Sequence, residues 1–381
     1  MLIMMQSMTP FRVVTILFLA TVLTGCLSQP PHLSAPLKTA VKKKAISTLE
    51  PEMHISPKQG PQRTLVAVIL PQTGPTISLA SSAIHNGIET ARRQNGTAKT
   101  IRTRYYYTID DTASPIVQYQ RAVNDGAAVV IGPLTKIAID NLIHNITITL
   151  PTFLLNTTSQ LEKLPPMSYV MSLSIEEESR EMAETMHING YPEVIIVYID
   201  SILSRRIGQA FATQWRKRTD TLAKAIVLVS SHADITELKK LMNDHKNAGV
   251  FLAMTASEAA NIVPKLQSTH SFYGISQIVP DKRHPAQQHA LKGIKYADIP
   301  LLLMPNKFTH YPHPFPRSLD LERFYALGID VYQQVTRYLQ TNQLSPIYDG
   351  AAGRWLKLES QVLKRQLPIA TIGQPEFEVL P

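Results

Sequence analysis

Cysteine is nearly missing: Cys26 is the one cysteine in 381 residues. A single thiol allows no intrachain disulfide, so the fold must rest on its apolar core. Catalytic motifs are missing as well. No serine stands between two glycines in a nucleophile elbow, because Gly274-Ile275-Ser276-Gln277-Ile278 lacks the second glycine. Neither a phosphate loop nor a dinucleotide glycine pattern occurs. No cofactor and no enzyme class is therefore indicated. Charge is sparse too, at 18% of residues, although 38 Lys and Arg against 29 Asp and Glu leave a net charge of +9. Much of that excess sits near the start of the chain. Arg12 carries one charge, and residues 27–63 set Lys38, Lys42, Lys43, Lys44, Lys58 and Arg63 against Glu50 and Glu52. The body is only mildly basic, with no aromatic-and-basic surface of the kind that binds nucleic acid.

What is present begins with an uncharged run from Val13 to Leu23. It falls short of the about 20 apolar residues that span a bilayer, but it suits the apolar segment of a secretory signal. The run closes on Leu23-Thr24-Gly25-Cys26, which resembles the bacterial lipobox, where the cysteine thiol receives a diacylglyceryl group and the chain is cut just before it. Residues 1–25 then read as a lipoprotein signal peptide and Cys26 as the lipidation site. Leu27 stands where aspartate commonly marks inner-membrane retention, so the expected location is the periplasmic face of a Gram-negative outer membrane. Residues 26–62 are rich in proline and poor in apolar periodicity, and read as a lipidated flexible tether. Its Lys42–Lys44 run reads as solvated linker, with anionic headgroups or the cell-wall polymer as its alternative contacts.

From Arg63 the pattern changes to short apolar runs alternating with longer amphipathic ones. TLVAVILP (64–71), TIRTRYYYTID, AAVVIG and LPTFLLN read as strands, separated by helices over 78–96, SPIVQYQRAVNDG and TKIAIDNLIHN. A second series follows: helix 175–191, strand PEVIIVYID, helix LSRRIGQAFATQWRKR, strand KAIVLVSS, helix ITELKKLMNDHKN, strand GVFLAMT, helix SEAANIVPKLQ and strand-like SFYGISQIV. Pro264 should kink or end its helix. A long helix is expected over 319–342, with Leu321, Phe324, Tyr325, Leu327, Gly328 and Val331 on one buried face, and then a hairpin in GRWLKLESQVLKRQLPIATI. Alternating strands and crossover helices predict an α/β fold of two lobes, each a mainly parallel sheet covered by helices. Residues 63–381 form that body. Lobe 1 spans about 63–170 plus part of the C-terminal region, and lobe 2 about 171–300.

Such a fold offers a cleft at the carboxyl ends of its strands. The residues expected there are Gln72, Thr73 and Gly74, then Gly132, Pro133 and Thr135, then Asn156 and Thr157. Pro133 and the helix start after it would aim N–H groups at an anion, while Gly74, Gly132 and Thr135 also fit plain turn and capping roles. Other chemistry reads as structural. His310 and His313 in THYPHPFP have no nearby cysteine or carboxylate pair and predict no metal site. Glu176, Glu177 and Glu178 open a helix, where its dipole favours negative charge. Asp110 and Asp111 end a strand and shape a turn.

Three stretches carry a family resemblance: VVIGPLTKIAIDNL (129–142), LERFYALGIDVYQ (321–333) and DGAAGRWLKLESQVLKRQLPIATI (349–372). The chain resembles the LppC-type lipoproteins, the penicillin-binding-protein activators, over most of 64–372. That resemblance implies a type I periplasmic-binding-protein-like fold on an outer-membrane lipid anchor. It implies as partner a class A penicillin-binding protein, a peptidoglycan synthase whose activity the lipoprotein raises without catalysis of its own, and peptidoglycan as a further contact. The longest members place a helical-repeat domain between anchor and body. Here a tether of about 36 residues beyond Cys26 stands instead, with a reach of about 120–130 Å when extended. The alternative function is a substrate-binding lipoprotein of an amino-acid-type ABC transporter, which needs pocket residues that grip a carboxylate and an ammonium group.

Overall fold

A computed structural model describes residues 63–374, apart from Val229, 313–317 and 358–360, together with the backbone of Phe377–Glu378. The chain first lays down β1 (Thr64–Pro71), α1 (Pro75–Gln94), β2 (Ile101–Thr108), α2 (Ala113–Asn124), β3 (Ala127–Ile131), α3 (Lys136–Asn145), β4 (Thr152–Leu154) and β5 (Ser168–Val170). The strands form a parallel sheet in the order β2-β1-β3-β4-β5. Seven of the eight β1 residues are buried, because helices cover both faces of this central strand. Val66, Val68 and Leu70 enter one core with Ile84 and Ile88 of α1, while Leu65, Ala67 and Ile69 enter another with Tyr119, Ala122 and Leu142.

The second series comprises α4 (Ile175–Ile188), β6 (Val194–Ile199), α5 (Ile202–Thr219), β7 (Lys224–Leu228), α6 (Thr236–Asp244), β8 (Gly249–Ala253), α7 (Ala256–Leu266), β9 (Phe272–Gly274), α8 (Pro285–Ala290) and β10 (Lys295–Ala297). Its parallel strands run β7-β6-β8-β9-β10, the topology of the first sheet repeated. Strand β6 is fully buried and feeds two cores by the same alternation. Helix α7 does end just beyond Pro264, at Leu266, with Gln267 in a left-handed conformation. SFYGISQIV gives only a short strand, since a 3-10 turn at Ser276–Ile278 follows β9.

The chain then adds α9 (Pro300–Leu303), α10 (Leu319–Thr341), β11 (Ile347–Asp349), β12 (Arg354–Lys357), β13 (Leu363–Gln366), β14 (Ile369–Thr371) and β15 (Phe377–Glu378). Helix α10 returns to the first sheet and lies on α1 with a very close approach. A Cβ built on Gly87 would stand 2.1 Å from the Tyr325 carbonyl oxygen, and one on Gly328 would stand 2.3 Å from that of Ile84. Only hydrogen fits at either position, which explains the glycine in the FYALGID stretch. Leu327 is fully buried, whereas Phe324 of the same expected face is partly buried. The hairpin of β12 and β13 forms, with β11 on its other edge, and β14 departs to pair antiparallel with β10. Among the described residues no helix is long and apolar enough to cross a membrane.

Candidate functional site: the cleft edge and the crossing segments

The eight expected cleft residues all follow carboxyl ends of strands in the first sheet. Gln72, Thr73 and the helix-capping Gly74 (φ 72°) are exposed after β1. Gly132 is buried with φ 104°, and a Cβ there would meet the Ile69 carbonyl oxygen at 2.1 Å, so its glycine is structural. Pro133 is buried beside it, and its carbonyl accepts from the Leu155 N–H at 3.1 Å. Thr135 caps α3 by accepting from the Ala138 N–H at 3.2 Å, and its hydroxyl donates to Asp111 at 2.8 Å. The Asn156 amide donates to the Leu134 carbonyl at 3.1 Å and accepts from the Thr157 N–H at 2.8 Å. The side chains of Thr135 and Asn156, after β3 and β4, are thus occupied by their own neighbours. On the second sheet Asp200, after β6, pairs with Arg205.

Four branched apolar side chains follow strand carboxyl ends, three on the first sheet and one on the second. Ile77 and Ile137 open α1 and α3, Ile109 follows β2, and Ile202 opens α5; Ile109 is 76% exposed and Ile202 82%. A helix start that faces its own sheet would bury such a side chain. Here they face outward.

Three segments lead between the second sheet and the rest of the body. The first links β5 to α4, the second leaves β10 at Asp298 for α10, and the third links β13 to β14 through Leu367 and Pro368. Ser276 lies where they converge. Glu178, in the first turn of α4, accepts from the Ser276 hydroxyl at 2.6 Å and from its N–H at 3.3 Å. Glu178 also pairs with Arg365 of β13 at 2.8 Å, and both side chains are at most 4% exposed. The Ser276 carbonyl accepts from Arg323 of α10 at 3.0 Å, and Arg323 grips Asp298 at 2.7 and 3.0 Å. Although burial alone would lower the Arg323 pKa, the Asp298 carboxylate and its neighbours hold it above the ordinary value. Breaking such a dry ionic cluster leaves an uncompensated charge, so it fixes the geometry at the crossing.

This corrects the reading of the acidic triplet. Glu176 pairs with Arg206 at 2.6 Å and Glu177 with Arg180 at 2.7 Å, as solvated first-turn acids do, but Glu178 is a buried pairing group. Its spacing held the signal, because Glu178, Met182 and Met186 follow one another at intervals of four on the buried face of α4. Asp110 does shape a turn, accepting from the N–H groups of Thr112 and Ser114. His310 lies against Tyr311 with ring centroids 4.0 Å apart, while His313 and Cys26 lie outside the described residues. Among the described residues no three His, Cys, Asp or Glu side chains converge as a metal site.

The two most distinctive stretches of the sequence meet in space. Asp330, the last residue of FYALGID, is fully buried and accepts from the Ala351 and Ala352 N–H groups at 2.7 and 2.8 Å and from the Trp355 indole at 2.7 Å. Those partners belong to DGAAGRW. A Cβ on Gly350 would stand 2.2 Å from the Asp330 carboxylate, which is why glycine precedes them.

Comparisons with known proteins agree with this architecture. A solved structure described as a "putative branched-chain amino acid ABC transporter" from Chromobacterium violaceum is 28% identical, with a TM-score of 0.69 over 81% of this chain and 100% of that one. The C-domain of LpoA from Haemophilus influenzae, described as a regulator of PBP1A, gives a TM-score of 0.66 at 18% identity over 83% of this chain and 99% of that one, a likeness of fold. Among curated proteins, the penicillin-binding protein activator LpoA of Haemophilus ducreyi is 24% identical over 297 residues, 74% of this chain and 49% of that protein. The chain spans about half the length of the curated relatives it matches. Residues 53–373 match the family profile described as "LppC putative lipoprotein", and the chain belongs to that family.

Proposed function

We propose that this chain is a non-catalytic lipoprotein that activates a class A penicillin-binding protein from the periplasmic face of the outer membrane, with lobes dividing near residue 170. Family membership over residues 53–373, with curated relatives named penicillin-binding protein activators, is the observation that carries the reading. The carboxyl edge supports it: Thr135 and Asn156 there are engaged by their own neighbours, and Ile109 and Ile202 offer apolar contact to a protein partner. A transport role would need a carboxylate-and-ammonium grip. The C. violaceum likeness favours that second reading, but Thr135, Asn156 and Asp200 are engaged within the chain.

The direct assay mixes a class A synthase, lipid-linked precursor and the detergent-solubilised full chain, and measures cross-linked product. An increase is expected, and it should be lost in the Ile109→Asp, Ile202→Asp double variant with its melting temperature retained. No increase with any class A synthase of the same cell rejects the reading. Saturating leucine, by contrast, should leave the melting curve unmoved, whereas a true ligand at about 100 times its Kd would add about 2.7 kcal/mol.

Anchoring is proposed through acyl chains on Cys26. Cys26→Ser should move the protein from the membrane to the soluble periplasmic fraction. Retention of that variant on membranes after a salt wash would defeat the anchor.

A further inference from the structure

Beside the cleft edge, between the first half of α1 and the end of edge strand β2, lies a pocket of about 600 Å³. Pro71 and Gln72 close one end, Ser78, Ser82, His85 and Asn86 of α1 form one wall, and Tyr107 forms the other. That volume lies within the range of small-ligand sites. In a chain of net charge +9, no Lys, Arg, Asp or Glu lines it. We propose that this pocket binds a neutral saccharide, whose hydroxyl groups meet the amides and hydroxyls of α1 while a sugar face lies on Tyr107.

Three observations lead there. First, the side chains of Gln72, Ser78 and Asn86 form no hydrogen bond among the described residues, whereas Ser82 donates to the Ser78 carbonyl at 2.9 Å and His85 shares a hydrogen bond with the Tyr107 hydroxyl at 3.2 Å. An apolar ligand would strand these donors and acceptors; a sugar satisfies both kinds. Second, an ionic ligand finds no counter-charge. Burial lowers the His85 pKa more than Glu89 raises it, which disfavours the imidazolium. Third, the wall is held in place before any ligand arrives. The His85 ring stacks on Tyr105 at 3.9 Å, and Tyr105 donates to Glu89 at 2.8 Å, which also accepts from Thr103 and pairs with Arg92. A fixed wall lowers the ordering cost of binding.

The inference does not depend on the activator reading, since its assay contains no synthase. Titrating the full chain with chitotetraose and, separately, maltotetraose by isothermal calorimetry and NMR should show saturable binding of at least one, chitotetraose marking a preference for acetamido-bearing sugars and maltotetraose for plain hydroxyls. A neutral ligand requires that Kd hold steady between about 0.05 and 0.5 M salt. Asn86→Ala and Tyr107→Ala should each weaken binding by about tenfold or more, with Tyr107→Phe near wild type and all three melting as the wild type does. Absence of binding to both sugars at about 10 mM overturns the proposal. So does a Kd that is salt-dependent or indifferent to Asn86→Ala and Tyr107→Ala. If a variant proves unstable, the wild-type NMR shifts decide: changes at Asn86 and Tyr107 support the site, and changes confined elsewhere reject it.

Discussion

Arg365→Met is expected to destabilise the protein by about 3–5 kcal/mol, because it leaves the Glu178 carboxylate buried without its cation. Methionine fills similar volume, so the loss would report charge and hydrogen bonding more than a cavity. Arg365 also donates to the Ala352 carbonyl at 3.2 Å, and that acceptor would be stranded too. Glu178→Gln should also destabilise, because it leaves the Arg365 guanidinium buried without its anion, but less so, since the amide oxygen still accepts from Ser276 and Arg365. Pairing Arg365→Met with Glu178→Leu should recover part of the loss, although the Ser276 N–H then lacks its acceptor. Urea unfolding measures each step, and the single Arg365 variant should also melt lower by roughly 6 °C or more. A single variant within about 1 kcal/mol of wild type would mean that water reaches the pair and that the crossing is not held there.

Asp330 should make stability fall as pH rises. Burial pushes its carboxyl up to about 7, outweighing the opposite pull of the Trp355, Ala352 and Ala351 N–H groups. The unfolded chain releases that proton near 3.8, so between these values the folded state binds the extra proton. Its stabilising contribution is whole below about pH 4 and is gone above about pH 7. The full swing is about 4 kcal/mol, of which about 3 kcal/mol falls between pH 5 and 8. Asp330→Asn cannot titrate. Subtracting its urea-unfolding profile from that of wild type isolates the carboxyl, and a difference that stays constant from about pH 5 to 8 would refute the assignment. Since Asp330 ties α10 to the turn before β12, the same variant should also loosen hydrogen-exchange protection at Ala351 and Ala352.

Apolar patterning by itself determined the class of this fold. Runs such as Val66–Leu70 and Val194–Ile199, alternating with amphipathic helices, suit strands of a parallel sheet covered by helices on both faces, and two successive series of similar size point to two such sheets. Glycines at 87 and 328 and the stretch ending at Asp330 were visible as letters, without their reason. Sequence also located the strand ends, because turn residues follow each apolar run. It could not say that Thr135 and Asn156 are occupied by their own neighbours, since a capping residue and a ligand-binding one are spelled alike. Pairing was harder still. Glu178 and Arg365 stand 187 positions apart, and Asp330 meets its indole partner only after α10 has crossed back to the first sheet. Periodicity records whether a residue faces inward, which is a local property of one element. Which charges meet in the interior, and which polar groups are left open around a pocket such as that beside Tyr107, depends on how separate elements dock, and tertiary packing alone decided both.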